Sequence, residues 1–481
     1  MVASLDSSEK LSSEKLTGKP RRQVLLTLLL GGTVISFSNS ALNPAIPVFM
    51  SVFDVDIVMG GWVLNAYVLS MSVGLMLSGY LHKKFAFRPV YLTAIIGFML
   101  GSVIGMCAPS MTMVIIARAI QGLSGGLTIP LSIGMLYQIY PQHRHGRVMA
   151  LWGIIIMMSL AFGPLVGAYL VEQFTWWTLF AVTLPLSAAV TLMVWRFLPN
   201  IGSPKVDKTF DVKGFVSLLV WLLALMTWLS TLKTDFHTSL ASMIETSLLA
   251  AIFLISFMVW WAYERRQIQP LLNVRLFSNT VYLHSTIISV TQTLGLMVGL
   301  LLLPILVQEV MGKSALWTGV ILMTATLMSS ITTHFAGKRV DKYGARDIGI
   351  LGIALSASSM LLLAWCLYQP TLWLLIVIMS VQGVGVGMAY LPTTTVGFSS
   401  LAKEMVTEGA ALNNISRRIV STIFITLVTV YVAGRGAQLL AAGNRQSVGT
   451  AIQEIFVVLA VILFLTIFSA RRLPKAVLMS K

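Results

Sequence analysis

Charge is what this chain has least of. Only 10% of its 481 residues are Asp, Glu, Lys or Arg, against roughly 25% in soluble domains. That is too little charge to cover an aqueous surface, which excludes a soluble enzyme, a nucleic-acid binder and a disordered scaffold. Acids are scarcer still, 17 Asp and Glu against 33 Lys and Arg, leaving a net charge of +16. Cys107 and Cys366 are the only cysteines and lie in apolar stretches without CxxC or metal-ligand spacing. Neither a disulfide framework nor a metal site is expected. No phosphate-binding loop occurs, so ATP-driven pumping has no support. No nucleophile–base pairing marks an enzyme, and no cofactor is expected.

What is present is apolar sequence, with 57% hydrophobic residues and a mean hydropathy of +0.86. A helix crossing ~30 Å of hydrocarbon needs about 20 mostly apolar residues. Fourteen such stretches occur: 24–49, 57–81, 89–108, 111–140, 147–172, 175–198, 213–232, 245–264, 280–308, 315–337, 347–368, 371–400, 407–433 and 452–470. The longer ones predict tilted or bent helices, and Pro130, Pro164, Pro304 and Pro392 fall inside them. The alternating ten-residue segments of a strand barrel are missing. The expectation is an all-α polytopic membrane protein with the lipid bilayer as its environment.

The basic residues are distributed unevenly about these spans. One set of connecting segments holds 26 of the 33, and the other holds four, Lys233, Lys313, Arg435 and Arg445. This asymmetry predicts both termini in the cytoplasm. The high net charge is then an orientation signal and not a nucleic-acid footprint. Residues 1–23, with SSEKLSSEKL and KPRR, read as a cytoplasmic tail; no short apolar core with a small-residue cleavage site makes them a signal peptide.

Two loops repeat. GYLHKKFAFR (79–88) and GKRVDKYGAR (337–346) each place Gly first, Lys five residues on and Arg nine residues on, at Gly79 and Arg88 and at Gly337 and Arg346. Downstream come Gln121-Gly122 with Gly125-Gly126, and Gln382-Gly383 with Gly385 and Gly387. Two motifs recurring in the same order point to a duplicated half.

With these motifs the chain resembles the major facilitator superfamily, most closely its fourteen-span drug:proton antiporter branch. Gly337, Asp341, Lys342, Gly344 and Arg346 match the family's loop pattern G-x-x-x-D-[RK]-x-G-x-[RK]. ARAIQG (117–122) matches the fourth-helix motif with its buried Arg. GPLVGA (163–168), with Gly163, Pro164 and Gly167, matches most of the fifth-helix antiporter motif. LNPAIP (42–47) matches the end of the first-helix motif, and EGAALNNISRRI (408–419) is similar to the eleventh helix of the branch. The resemblance implies two pseudo-symmetric six-helix bundles, 24–200 and 280–470, a two-helix insert over 201–279, and a cytoplasmic tail over 471–481. It also implies a bacterial inner-membrane, monomeric, proton-coupled exporter of small amphipathic molecules working by alternating access. There are departures: Lys83 stands where the first loop should carry Asp, and Ser38 or Asn39 stands where the first helix usually carries an acid.

Every acid lies in a loop, a tail or near a span end, whereas Arg118, Arg417 and Arg418 fall inside spans, where charge is costly and usually functional. Two readings stand side by side: the arginines bond neighbouring helices, or at least one meets an anionic or dipolar part of the substrate. Gln121, Asn43, Asn65, Gln292, Asn413 and Asn414 are further candidates for a polar lining. His284 and Glu408 are the nearest proton carriers. Gly79, Arg88, Gly163, Pro164, Gly167, Gly337, Asp341, Gly344 and Arg346 are expected to serve conformational change. The leading expectation is multidrug efflux by proton antiport, conferring antibiotic resistance. Export of a specific anionic or zwitterionic metabolite, siderophore or lipid is one alternative, and a non-transporting membrane sensor or scaffold is another.

Overall fold

A computed structural model describes residues 19–200, 211–231, 240–267, 273–343, 345–366, 371–402, 405–443 and 447–475. In chain order the helices begin with α1 (Lys19–Ala41), α2 (Ile46–Phe53), α3 (Ile57–Lys84), α4 (Phe87–Met106), α5 (Met111–Ile139) and α6 (Gln142–Gln173). Next come α7 (Thr178–Ala181), α8 (Thr183–Phe197), α9 (Val212–Thr231), α10 (Leu240–Arg266) and α11 (Thr280–Ile305). The last are α12 (Ala315–Tyr343), α13 (Ala345–Cys366), α14 (Leu372–Ser399), α15 (Val406–Ala441) and α16 (Ser447–Arg471). No strand occurs among the described residues. Thirteen helical stretches are long and apolar enough to cross a membrane, and α9 stands where the remaining expected span lies, with an apolar run over Val212–Leu225. Their outward faces carry bare apolar side chains, Trp373 at 73% and Phe468 at 64% exposure, a surface that only hydrocarbon or protein can cover.

The helices form two compact units. The first holds α1, α3 from Ala66 onward, and α4 to α8. Its core gathers Leu28, Ile35, Tyr91, Phe98, Leu131 and Val190. The second holds α9 to α16 together with Asn43–Asn65, that is, a 3-10 turn (Asn43–Ala45), α2 and the start of α3. Its core joins Leu302, Met360, Ile378, Ile425 and Phe456 to Ile46, Val58 and Leu64. The division expected from the apolar stretches put residues 43–65 with the first bundle and set the insert apart. Hydrogen bonds account for the difference: Gln308 Nε2 donates to Pro44 O at 2.7 Å and Asn65 Nδ2 to Thr426 Oγ1 at 2.9 Å.

The repeated Gln-Gly motifs pack alike in both units. A Cβ on Gly122 of α5 would stand 2.3 Å from Tyr67 O, and one on Gly126 2.1 Å from Met71 O, both on α3. In the second unit, a Cβ on Gly383 of α14 would stand 2.1 Å from Ala325 O, and one on Gly387 2.6 Å from Ser329 O, both on α12. Only glycine lets these backbones approach so closely.

The insert is a hairpin closed by aromatic rings. Trp221 of α9 stacks on Trp260 of α10 with centroids 5.4 Å apart, and Trp228 on Phe253 at 5.5 Å. Near the second unit's start, Asp54 ends α2 in the left-handed region, φ 50°, a conformation in which Asp is among the better-tolerated side chains.

One expectation about a span end needs correction. Arg435, read as an outer-loop residue, lies inside α15, which runs to Ala441. The helix outlasts its apolar stretch because Arg435 pairs with Glu454 of α16 at 3.1 Å and Tyr431 donates to the same carboxylate at 2.6 Å. At the end of α11, Pro304 precedes a π turn over Leu306–Val310. Proline has no N–H to donate, and here the next residues adopt the wider i−5 pairing, Met311 N to Leu306 O at 2.9 Å.

Candidate functional site

Each unit holds one membrane-embedded arginine over a tyrosine ring. In the first, the Arg118 guanidinium lies 4.0 Å from the centroid of Tyr67. Its Nη1 donates to Gln121 Oε1 at 3.0 Å, Gln121 Nε2 donates to Ser102 Oγ at 3.0 Å, and Thr183 Oγ1 donates to the same hydroxyl at 2.9 Å. All four polar residues are fully buried. Arg118 and Gln121 are three apart on α5 and share a helix face, so the chain ties α5 to α4 and α8.

The second unit keeps part of this arrangement. Ser359 of α13 hydrogen-bonds Gln382 Oε1, as Ser102 pairs with Gln121. The place three residues before Gln382 is taken by Met379, so the buried arginine has no counterpart there. Gln292 Oε1 accepts from Ser356 Oγ at 2.9 Å, leaving Gln292 Nε2 and Gln382 Nε2 buried without a hydrogen-bond partner.

Arg417 is placed differently. It is half-buried on α15, its guanidinium 4.8 Å from the centroid of Tyr390, with Nη2 donating to Asn414 Oδ1. Asn414, Arg417 and Ser421 recur at i, i+3 and i+7, one stripe of the helix. Along it Arg417 Nε and Ser421 Oγ lack hydrogen-bond partners. Asn413 faces α11 instead, accepting from Ser289 Oγ at 3.2 Å and donating to Thr286 Oγ1 at 3.3 Å.

The other candidates scatter. Ser38 is fully buried on α1 with its hydroxyl unpartnered, and Asn39 is half-buried beside it. Asn43 and Asn65 are buried in the second unit, each with an unpartnered Oδ1. His284 is half-buried near the start of α11, its Nδ1 without a partner. Glu408 is exposed in the first turn of α15 and accepts from Asn273 Nδ2 at 3.0 Å.

Among the conformational candidates, Arg88 Nη2 bonds Trp195 O. On α6, which carries Pro164, the Cβ position of Gly163 would stand 1.9 Å from Ser40 Oγ and that of Gly167 1.9 Å from Ala41 O. Arg346 Nε has no partner. Gly79, Gly337 and Asp341 lie on helical backbone in α3 and α12. The Asp341 side chain and Gly344 are outside the described residues. Tyr67, Tyr390, Ser102, Ser356 and Ser359 were missed by sequence reasoning. Each acts across a helix contact that linear spacing does not carry.

A family model described as Major Facilitator Superfamily matches residues 28–425. The chain is 26% identical over 376 residues to the Multidrug resistance protein B homolog of Mycobacterium tuberculosis, covering 77% of this chain and 68% of that one. It is 24% identical over 446 residues to the Lincomycin resistance protein LmrB of Listeria monocytogenes, covering 90% and 93%. Among solved structures it is similar to a peptide transporter POT in complex with sulfate, with a TM-score of 0.67 at 13% identity, covering 94% and 96%. At that identity the likeness concerns the fold alone.

Proposed function

The chain belongs to the Major Facilitator Superfamily and is a multi-pass membrane transporter, not an enzyme; from that premise we propose that it exports amphipathic small molecules by proton antiport and alternating access. The observation that carries the reading is the α15 stripe, where Arg417 lies over the Tyr390 ring and both Arg417 Nε and Ser421 Oγ are buried without hydrogen-bond partners. A guanidinium with an unpartnered Nε favours a phosphate, sulfate or carboxylate, and an adjacent ring supplies apolar contact. Substrates are therefore anionic, zwitterionic or neutral amphiphiles in preference to permanent cations. Similarity to proteins named for lincomycin and multidrug resistance supports the export direction and a bacterial inner-membrane location, and the uneven distribution of Lys and Arg supports both termini in the cytoplasm. Arg118, fully buried and hydrogen-bonded to Gln121, holds the first unit together.

For coupling, His284 is the better carrier of the two. Its Nδ1 has no partner, whereas Glu408 is exposed, suits the positive end of a helix, and is engaged by Asn273. The test is uptake of matched cationic, neutral and anionic amphiphiles into proteoliposomes under an imposed pH gradient. Gradient-driven uptake favouring anions, with His284→Gln losing gradient dependence, is the expected result. Preference for quaternary ammonium probes would overturn the substrate class, and gradient-independent uptake would overturn the coupling.

A further inference from the structure

At the arginine-rich end of α10 a cavity of about 440 Å³ opens between the last turn of that helix and the 3-10 turn Val274–Ser278. Trp261, Glu264 and Arg265 line one wall, and Asn273, Arg275 and Ser278 the other. We propose that this cavity binds the headgroup of a membrane phospholipid, taking its phosphodiester on Arg265 and Arg275 and a headgroup N–H or O–H on Asn273.

The position fits a headgroup. The apolar run of α10 ends at Arg266, so the cavity lies where hydrocarbon gives way to the polar interface, a depth at which Trp and Arg are at home. The charge fits as well. The Arg265 guanidinium lies 5.5 Å from the centroid of Trp261, and Arg275 Nη2 donates to Arg265 O at 3.3 Å. Both forks are thus held in place, and planar guanidinium donors match phosphate oxygens. Glu264 does not take the phosphate's place: its Oε2 turns toward α9, 3.0 Å from where a Cβ on Gly214 would stand. Asn273 supplies the third point. Its Nδ2 is used on Glu408, yet its Oδ1 is buried with no hydrogen-bond partner. An unsatisfied buried acceptor is costly, and glycerol or ethanolamine headgroups carry the donor it lacks. Choline carries none.

Occupancy would also brace the molecule locally. The segment after Asn273 is tied to the end of α14 through Asn279 Nδ2 to Ser400 O at 2.9 Å and to the start of α15 through Tyr282 OH to Gly409 O at 2.7 Å. The lipid would therefore link α10 to the helix that carries Arg417.

Native mass spectrometry of the full chain, titrated in detergent with short-chain phosphatidylglycerol, phosphatidylethanolamine and phosphatidylcholine, tests this. The expected result is one retained molecule of the glycerol or ethanolamine lipid, with choline lipid at least about tenfold weaker. The paired change Arg265→Gln with Arg275→Gln should weaken retention about tenfold or more, while Arg266→Gln, which does not line the cavity, leaves it unchanged. Should the paired variant fail to fold, Arg275→Lys, which keeps the charge and loses the fork, should still weaken retention with an unaltered melting temperature. Equal retention of choline lipid, equal losses at Arg266, undiminished retention by Arg275→Lys, or inorganic phosphate displacing the lipid at equal affinity would overturn the proposal.

Discussion

Arg118 and Arg417 meet the membrane interior on different terms. Arg118 is enclosed, its charge spread over a ring and a glutamine amide; Arg417 is only half-buried, and its Nε has no hydrogen-bond partner. Replacing them should separate stability from affinity. Arg118→Met places in the first unit the residue the second already uses at Met379. It should cost about 1–3 kcal/mol by stranding the Gln121 carbonyl, read as a lower melting temperature, with KM for an anionic substrate within about twofold of the parent. Arg417→Ala should instead raise that KM roughly tenfold or more with little change in melting. Arg417→Lys should fall between, because a lysine keeps the charge without the planar fork. The arginines themselves were visible in the sequence as charge inside apolar runs. Their tyrosines were not, because Tyr67 and Tyr390 lie on other helices and nothing in linear spacing pairs them.

At the scale of the helix, the repeated glycines make the sharpest claim. Gly122→Ala and Gly383→Ala each drive a methyl into a neighbouring backbone oxygen and should destabilise by about 1–3 kcal/mol as the helices part. Gly153 of α6 is the internal control, since nothing lies within 4 Å of its Cβ position. Gly153→Ala should leave melting unchanged or raise it slightly, by removing a glycine from a helix interior. The periodic apolar runs made nearly every helix legible, and the repeated Gln-Gly motifs made the duplication legible. The end of α15 was not, because hydropathy drops after residue 433 while an ion pair to α16 carries the helix on. Nor was the π turn after Pro304, which depends on backbone pairing that side-chain pattern does not encode.

For the molecule as a whole, orientation is the claim most open to a direct check. The uneven distribution of Lys and Arg predicts that Lys313→Cys, in a background lacking Cys107 and Cys366, reacts with an impermeant maleimide on intact cells. Arg275→Cys should react only after the membrane is opened. The reverse labelling would invert the topology and with it the direction of transport. Composition was enough to identify a membrane protein and its all-helical class. The split of the chain into units was harder to read, because residues 43–65 belong by sequence to the first half and by packing to the second.

That allegiance has a consequence for biosynthesis. Asn65 and its partner Thr426 are 361 residues apart. At about 5–20 residues per second, roughly 20–70 s of translation separate the two. Throughout that interval the nascent chain holds an asparagine amide in the membrane without the hydroxyl that later satisfies it, and for the 264 residues up to Gln308 the Pro44 carbonyl lacks its donor too. The N-terminal half therefore leaves the ribosome incomplete, and its maturation waits on the last third of the message.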